Sequence, residues 1–162
     1  NDDRAFATIL FTDVVESTKR LEALGDQRWR DIIAEHDKIV RREIERFRGK
    51  EVKSLGDGFL ATFDGPARAV RCALALTSAV RHLGLEIRAG IHAGEVELFD
   101  ADVRGIAVHI ASRVVDEAGR SEVFASRTIR DLVAGSGLTF SRIGQRTLSG
   151  LEESVEIFLV DT

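Results

Sequence analysis

The chain of 162 residues lacks the features that mark secreted, membrane-spanning and disulfide-rich proteins. It has a single cysteine, Cys72, so no internal disulfide can form, and we expect a reducing compartment, the cytoplasm. No apolar run approaches the roughly 18 residues that a membrane helix needs. The start of the chain shows no signal-peptide pattern. We therefore expect no direct contact between this domain and a membrane.

An excess of basic charge is also missing. The formal net charge is −4, and the arginines are mixed with acids, as in the segment 41–46. This mixture argues against a nucleic-acid partner. Methionine is absent, even at position 1. We expect residues 1–162 to be one domain, cut from a longer chain whose sensor or membrane segment lies outside it.

Two aspartates stand where an apolar β-type run meets a turn. Asp13 lies within Phe11–Thr18, and Asp57 lies within Leu55–Gly58. If the fold brings them together, the two carboxylates would repel unless a divalent cation such as Mg²⁺ lies between them. Paired cations activate an attacking oxygen and neutralise a leaving phosphate, so the pattern suggests phosphate chemistry on a nucleotide. The alternative is structural, because aspartate is a common turn residue.

The residues after Asp13 are suited to holding phosphate. The segment Val14, Val15, Glu16, Ser17 and Thr18 offers successive backbone N–H groups at the start of a predicted helix, together with two hydroxyls. Free N–H groups and the positive end of the helix dipole attract phosphate. The sequence thus places a candidate metal ligand beside a candidate phosphate-binding turn.

The order of the predicted elements indicates an α+β fold. It opens with the β-α-β-β-α-β order of a ferredoxin-like core, with helices on one face of an antiparallel sheet, and continues into additional C-terminal strands and helices. The predicted strands are 5–11, 51–55, 59–63, 85–99, 122–125, 138–148 and 155–160. The predicted helices are 17–24, 26–47, 66–82, 106–117 and 126–134, and 100–105 is predicted to be a loop.

Four short motifs together carry a resemblance to a known family. They are Phe11–Asp13, Lys53–Gly58, Gly90–Glu95, and Asp102 followed by Ala111–Arg113. In this order and spacing the chain resembles the class III nucleotidyl cyclase catalytic domain, the family of adenylate and guanylate cyclases. The resemblance runs from Ala7 to Val160. It implies that two domains pair head to tail, with active sites in the cleft between them.

The resemblance also implies roles for individual residues. Asp13 and Asp57 would hold two Mg²⁺ or Mn²⁺ ions per active site, and Lys53 and Asp102 would contact the purine. A lysine only donates hydrogen bonds and an ionised aspartate only accepts them. This pair matches adenine, which accepts at N1 and donates at N6, and it opposes guanine. The alternatives are an exposed strand lysine and an ordinary loop aspartate, with Asp100 as a rival for the second position.

Arg113 and His109 are the predicted catalytic residues, one helical turn apart on the same helix face. By resemblance Arg113 stabilises charge on the phosphates, although a surface ion pair with Asp116 or Glu117 would also explain it. The family usually has asparagine where this chain has His109. Histidine keeps a hydrogen-bond donor but can ionise, and a structural role remains open.

A second departure concerns the terminal phosphates. Many relatives have lysine where this chain has Ser149, and Arg146 is the nearest substitute.

The combined expectation is an adenylate cyclase that works as a homodimer. It would convert ATP to 3′,5′-cyclic AMP and pyrophosphate. The alternatives are a guanylate cyclase, or a catalytically weak nucleotide-sensing or regulatory module on the same fold. The two departures favour the second alternative, and the complete set of predicted metal and purine residues opposes it.

Overall fold

The computed structural model describes residues 3–162, and these form a single mixed sheet covered by helices on both faces. The strands are β1 (Arg4–Val14), β2 (Lys50–Leu55), β3 (Gly58–Phe63), β4 (Ile87–Phe99), β5 (Asp102–Arg104), β6 (Val123–Ser126), β7 (Phe140–Thr147) and β8 (Ser154–Val160). The helices are α1 (Ser17–Leu24), α2 (Asp26–Arg46), α3 (Pro66–Ala79), α4 (Ile106–Glu117) and α5 (Arg127–Leu132).

The sheet order confirms the predicted ferredoxin-like core with C-terminal additions. The strands lie in the order β2-β3-β1-β4-β6-β8-β7, and β2, β3, β1 and β4 are antiparallel neighbours. β6 joins β4 in the parallel direction, which requires the crossover through α4. The prediction that 100–105 is a loop was wrong for Asp102–Arg104, which form β5. This strand pairs with the end of β4 and places Asp102 opposite Phe99.

Strand β1 is buried on both faces, as its continuous apolar run predicts. Leu10 packs into the core beneath α2 and α3, whereas its neighbours Ile9 and Phe11 pack under α4 on the other face. The expectation of helices on one face therefore holds for α2 and α3 but not for α4. A strand that is apolar on both sides needs a cover on both sides.

Two glycines set the positions of the site-bearing segments through close approach. A side-chain carbon at Gly90 in β4 would lie 2.6 Å from the Cα of Val115, so its absence lets α4 lie directly on the sheet. A side-chain carbon at Gly58 would collide with the carbonyl oxygen of Thr12. The β2–β3 hairpin can therefore approach the end of β1 closely.

Residues 3–162 contain no helix that is both long enough and apolar enough to cross a bilayer.

Candidate functional site

The two aspartates predicted to bind metal converge at one end of the sheet. Asp13 is the penultimate residue of β1, and its neighbour Thr12 pairs with Phe59 at the start of β3. Asp57 lies in the two-residue turn just before β3. Burial raises the pKa of the Asp57 carboxyl, the Ser17 hydroxyl opposes this, and the adjacent Asp13 carboxyl raises the pKa further. The Asp13 carboxyl is therefore close enough to disfavour ionisation of Asp57.

Arg88 is a site residue that the sequence analysis missed. It lies opposite Asp13 in the β1–β4 register, and its Nη2 donates to Asp13 Oδ2 at 3.0 Å. Its Nη1 donates to the carbonyl oxygen of Asp116 at 3.1 Å, at the end of α4. The sequence feature that could have identified Arg88 is its position inside a strand of the core. A partly buried guanidinium needs hydrogen-bond acceptors close to it.

The donor set fits a hard divalent cation. Asp13 and Asp57 supply carboxylate oxygens, which Mg²⁺ and Mn²⁺ prefer. Within the described residues, no group of three or more histidine, cysteine, aspartate or glutamate side chains is arranged to hold a metal. A site of two carboxylates leaves coordination positions for water and substrate phosphates, which is how Mg²⁺ is usually bound in proteins.

In the structure, fewer residues of the predicted phosphate-binding segment have an available backbone N–H than the sequence suggested. Val14 is the last residue of β1, and the Val15 N–H donates to the Glu86 carbonyl at 2.9 Å. The N–H groups that stay available are those of the first turn of α1, which begins at Ser17 and includes Thr18. Beside them lies an open cavity of about 640 Å³, and Asp13 is part of its wall.

Lys53 and Asp102 meet although 49 positions separate them in the sequence. Lys53 Nζ lies 3.2 Å from Asp102 Oδ2, and the other carboxylate oxygen accepts from the Val103 N–H at 2.8 Å. The Val103 N–H and then the Lys53 ammonium hold the pKa of Asp102 below its ordinary value. The rival Asp100 is an exposed turn residue with φ 54°.

The purine pair and the aspartate pair occupy different parts of the surface. Lys53 lies on β2, two strands away from Asp13 on β1, which corresponds to about 10 Å across the sheet. The two predicted pairs are therefore separate from each other within one chain.

Arg113 makes the surface ion pair that the sequence analysis considered as an alternative. Its Nη1 lies 3.2 Å from Asp116 Oδ2. Its buried Nε has no hydrogen-bond partner among the described residues. The guanidinium therefore keeps unused donor capacity.

His109 and Ser149, the two departures from the family pattern, touch each other. His109 Nε2 lies 3.0 Å from the Ser149 carbonyl oxygen, within hydrogen-bonding distance. A side-chain carbon on Gly150 would lie 2.8 Å from the same nitrogen. Arg146, the suggested substitute for the missing lysine, pairs with Glu117 of α4 at 3.4 Å.

His92 is a buried residue of β4 with a hydrogen-bonding partner inside the fold. Its Nδ1 lies 2.6 Å from Ser126 Oγ, and burial lowers the pKa of His92 to about 4. Ser126 stands at the N-cap position of α5, but its hydroxyl bonds His92 and makes no cap hydrogen bond.

Comparison with known proteins gives the same family as the motifs. The family model described as "Adenylate and Guanylate cyclase catalytic domain" matches residues 3–162. An uncharacterised protein of Mycobacterium tuberculosis is 30% identical over 125 residues, which cover 76% of this chain and 33% of that protein. The chain thus spans about a third of the length of such curated relatives.

Two solved structures show the same fold. The adenylyl cyclase CyaB from P. aeruginosa superposes with a TM-score of 0.90 at 22% identity, covering 98% of this chain and 95% of that one. The GTP-bound guanylate cyclase domain of RhGC from Catenaria anguillulae gives 0.86 at 18% identity, covering 97% and 96%. Sheet order, motif spacing and the family match agree, and the chain belongs to the adenylate and guanylate cyclase catalytic domain family.

Proposed function

We propose that this domain is an adenylate cyclase that forms 3′,5′-cyclic AMP and pyrophosphate from ATP. The observation that carries the proposal is the convergence of Asp13 and Asp57 at one end of the sheet near the start of α1, where Asp13 lines an open cavity. Arg88 offsets the charge of Asp13, and a divalent cation between the two carboxylates would also neutralise Asp57.

The aspartates and the α1 turn would act on the triphosphate. Two Mg²⁺ or Mn²⁺ ions held by Asp13 and Asp57 would supply Lewis-acid activation of the 3′-hydroxyl and neutralise the leaving pyrophosphate. The 3′-hydroxyl would lose its proton to solvent, its oxygen would bond to the α-phosphorus, and the bond from that phosphorus to the oxygen bridging to the β-phosphorus would break to release pyrophosphate. The first-turn N–H groups at Ser17 and Thr18 would orient the phosphate tail.

Lys53 and Asp102 would select the base. Lys53 donates to adenine N1, and Asp102 accepts from the N6 amino group. Their 3.2 Å ion pair holds both side chains near the geometry that the base requires, so little side-chain entropy is lost on binding. Guanine presents a donor at N1 and an acceptor at O6, and both contacts would then be unpaired.

A second copy of the chain would complete each site. Arg113 and His109 are assigned to the chain opposite the one that supplies the aspartates. Exposed apolar side chains near the β4–β5 hairpin support such pairing: Phe6 is 55% exposed, Leu98 45%, Phe99 50% and Ile106 63%. Large apolar groups exposed in one region are typical of protein–protein interfaces.

One observation favours the weaker alternative, a nucleotide-sensing module. Arg113 is paired with Asp116, and His109 lies against the Ser149 carbonyl, so both predicted catalytic side chains have partners within their own chain. Catalysis requires Arg113 to exchange its partner for phosphate oxygens.

The test is incubation with ATP and GTP separately, with Mn²⁺, followed by chromatographic identification of the product. We expect cyclic AMP from ATP, little product from GTP, and loss of activity in Asp13→Ala. Asp26→Ala is the matched control, since Asp26 is an exposed aspartate at the start of α2. Formation of cyclic GMP from GTP, with no cyclic AMP from ATP, would establish the guanylate alternative. No product from either nucleotide would support the sensing module.

A further inference from the structure

Arg120 lies at the edge of the 640 Å³ cavity that also contains Asp13 and the start of α1. It is in the connection between α4 and β6, where no sequence motif marks it. Its side chain is 55% exposed, so the guanidinium can change position without disturbing the core. Arg120 therefore places a solvent-accessible positive charge beside the proposed phosphate site.

The present partners of Arg120 are two carboxylates. Its Nη2 forms an ion pair with Glu16, and its Nη1 lies 3.5 Å from Glu86 Oε1. Lys19 Nζ lies 3.0 Å from the other oxygen of Glu16. Glu16 thus places a negative charge in the turn that would receive the phosphate tail.

Glu16 is unusual in its backbone as well as its charge. Its φ is 57°, a left-handed conformation that non-glycine residues rarely adopt. The carboxylate of this residue is the one that Arg120 and Lys19 hold. A phosphate tail entering the cavity would be repelled by the Glu16 carboxylate. It would attract Arg120 and Lys19, the two cations that now pair with Glu16.

The other arginines near the site are less free to respond. Arg88 is bonded to Asp13 and to the carbonyl oxygens of Asp116 and Ala118. Arg146 is paired with Glu117. Arg120 has partners that are each about one-third exposed, and exposed ion pairs contribute little stability.

We propose that Arg120 is a ligand for the terminal phosphates and that Glu16 competes with the substrate for it. The polyphosphate would take the guanidinium from Glu16, because a multiply charged group with several acceptor oxygens binds the planar fork better than one carboxylate. This rests on the proposed function, since it assumes that the cavity receives a nucleoside triphosphate. Arg120 would then supply the positive charge that Ser149 cannot provide.

The binding test uses inorganic tripolyphosphate with Mn²⁺ as the probe and isothermal titration calorimetry as the measurement. We expect Arg120→Ala to weaken binding about tenfold, as for the loss of one charge-assisted hydrogen-bonding group. Glu16→Gln should tighten it, because the competitor is removed. Arg127→Ala is the matched control: Arg127 is a similarly exposed arginine that pairs with Glu156 at 3.2 Å on another part of the surface.

The double variant distinguishes direct binding from simple neutralisation of Glu16. If Arg120 contacts phosphate, Glu16→Gln with Arg120→Ala binds more weakly than Glu16→Gln alone. If Arg120 only cancels the charge of Glu16, the two bind equally, and the proposal is overturned. It is also overturned if Arg120→Ala binds the probe as the unchanged chain does, or if the unchanged chain does not bind it. Thermal melts of all variants verify folding.

Kinetics separate this proposal from the proposed function. In an active cyclase, Arg120→Ala should raise KM for ATP with kcat nearly unchanged, and Arg120→Lys should recover part of the loss. A chain that binds tripolyphosphate through Arg120 but makes no cyclic nucleotide would refute the cyclase assignment alone. A chain that makes cyclic AMP with the same KM after Arg120→Ala would refute the role of Arg120 alone.

Discussion

Burial and a neighbouring carboxyl both act to raise the pKa of the Asp57 carboxyl. Burial and Asp13 raise its pKa above 3.8, although the Ser17 hydroxyl acts the other way. The folded state therefore binds the Asp57 proton more tightly than the unfolded chain does. In the presence of a chelator, stability should fall as the pH rises through the range just above 3.8.

Asp57→Asn removes this penalty together with the metal ligand. In chelator at neutral pH, we expect Tm to rise by a few degrees, at about 2–4 °C per kcal/mol for a domain of this size, while cyclase activity is lost. Calorimetric melts across pH 4–8 and the cyclic AMP assay measure the two effects. Asp26→Asn, an exposed aspartate, is the control, and an unchanged or lower Tm in Asp57→Asn would contradict the prediction.

His92 should make the fold sensitive to acid. Burial lowers its pKa to about 4, whereas the unfolded value is 6.5, so the folded state binds fewer protons between these values. Stability is then lost as the pH falls from 6.5 towards 4, by about 3 kcal/mol in total.

His92→Gln should flatten that pH dependence while keeping a polar partner for Ser126. Urea unfolding at several pH values measures it, with His82→Gln as the control, because His82 is exposed. An equal loss of stability in His92→Gln and the unchanged chain would show that another group is responsible.

At the level of elements, the position in which α4 packs on the sheet determines where Arg113 and His109 lie. Gly90 of β4 leaves room for the backbone of α4 at Val115. Gly90→Ala forces the helix outward or bends the strand, and such overpacking costs about 3 kcal/mol. The site would lose its geometry along with the stability.

We therefore expect Gly90→Ala to lower Tm by roughly 6–12 °C, taking 2–4 °C per kcal/mol, and to reduce kcat. Gly135→Ala is the control: its added carbon meets nothing within 4 Å, and only its φ of +86° is strained. A smaller loss of Tm for Gly90→Ala than for Gly135→Ala would contradict the packing argument.

The predicted elements were largely right because their signals are local. The helix at Ser17–Leu24 has the predicted bounds, and Pro66 begins α3 as expected for a residue whose missing N–H is harmless there. β5 was missed because three residues, Asp102–Arg104, carry too little pattern to distinguish a strand from a loop. Its identity depends on β4 lying alongside it.

At the level of the whole molecule, the proposed purine-binding and metal-binding pairs lie apart on one chain, and we propose that a second copy of the chain completes each site. Lys53 and Asp102 lie together on β2 and β5, and Asp13 and Asp57 lie together at the end of β1. A head-to-tail dimer would bring the first pair of one chain to the second pair of its partner.

Mixing two inactive variants tests this arrangement. Asp13→Ala and Lys53→Ala should each be inactive alone, and their mixed dimer should contain one intact site. If the two variants exchange randomly, half of the dimers are mixed, so we expect about a quarter of the normal activity. Native mass spectrometry confirms that mixed dimers form, and no recovery in their presence would exclude shared sites.

The sequence by itself determined the order of the helices and of every strand except β5, the two aspartates at strand ends, and the donor and acceptor characters of Lys53 and Asp102. These follow from periodicity, turn chemistry and residue type, all of which act over a few residues. Only the tertiary structure decided that Arg88 bonds Asp13, that Arg120 holds Glu16, that His109 lies against Ser149, and that α4 covers the second face. Each of these contacts joins positions distant in the chain, and they depend on strand register and helix packing, which the whole fold fixes together.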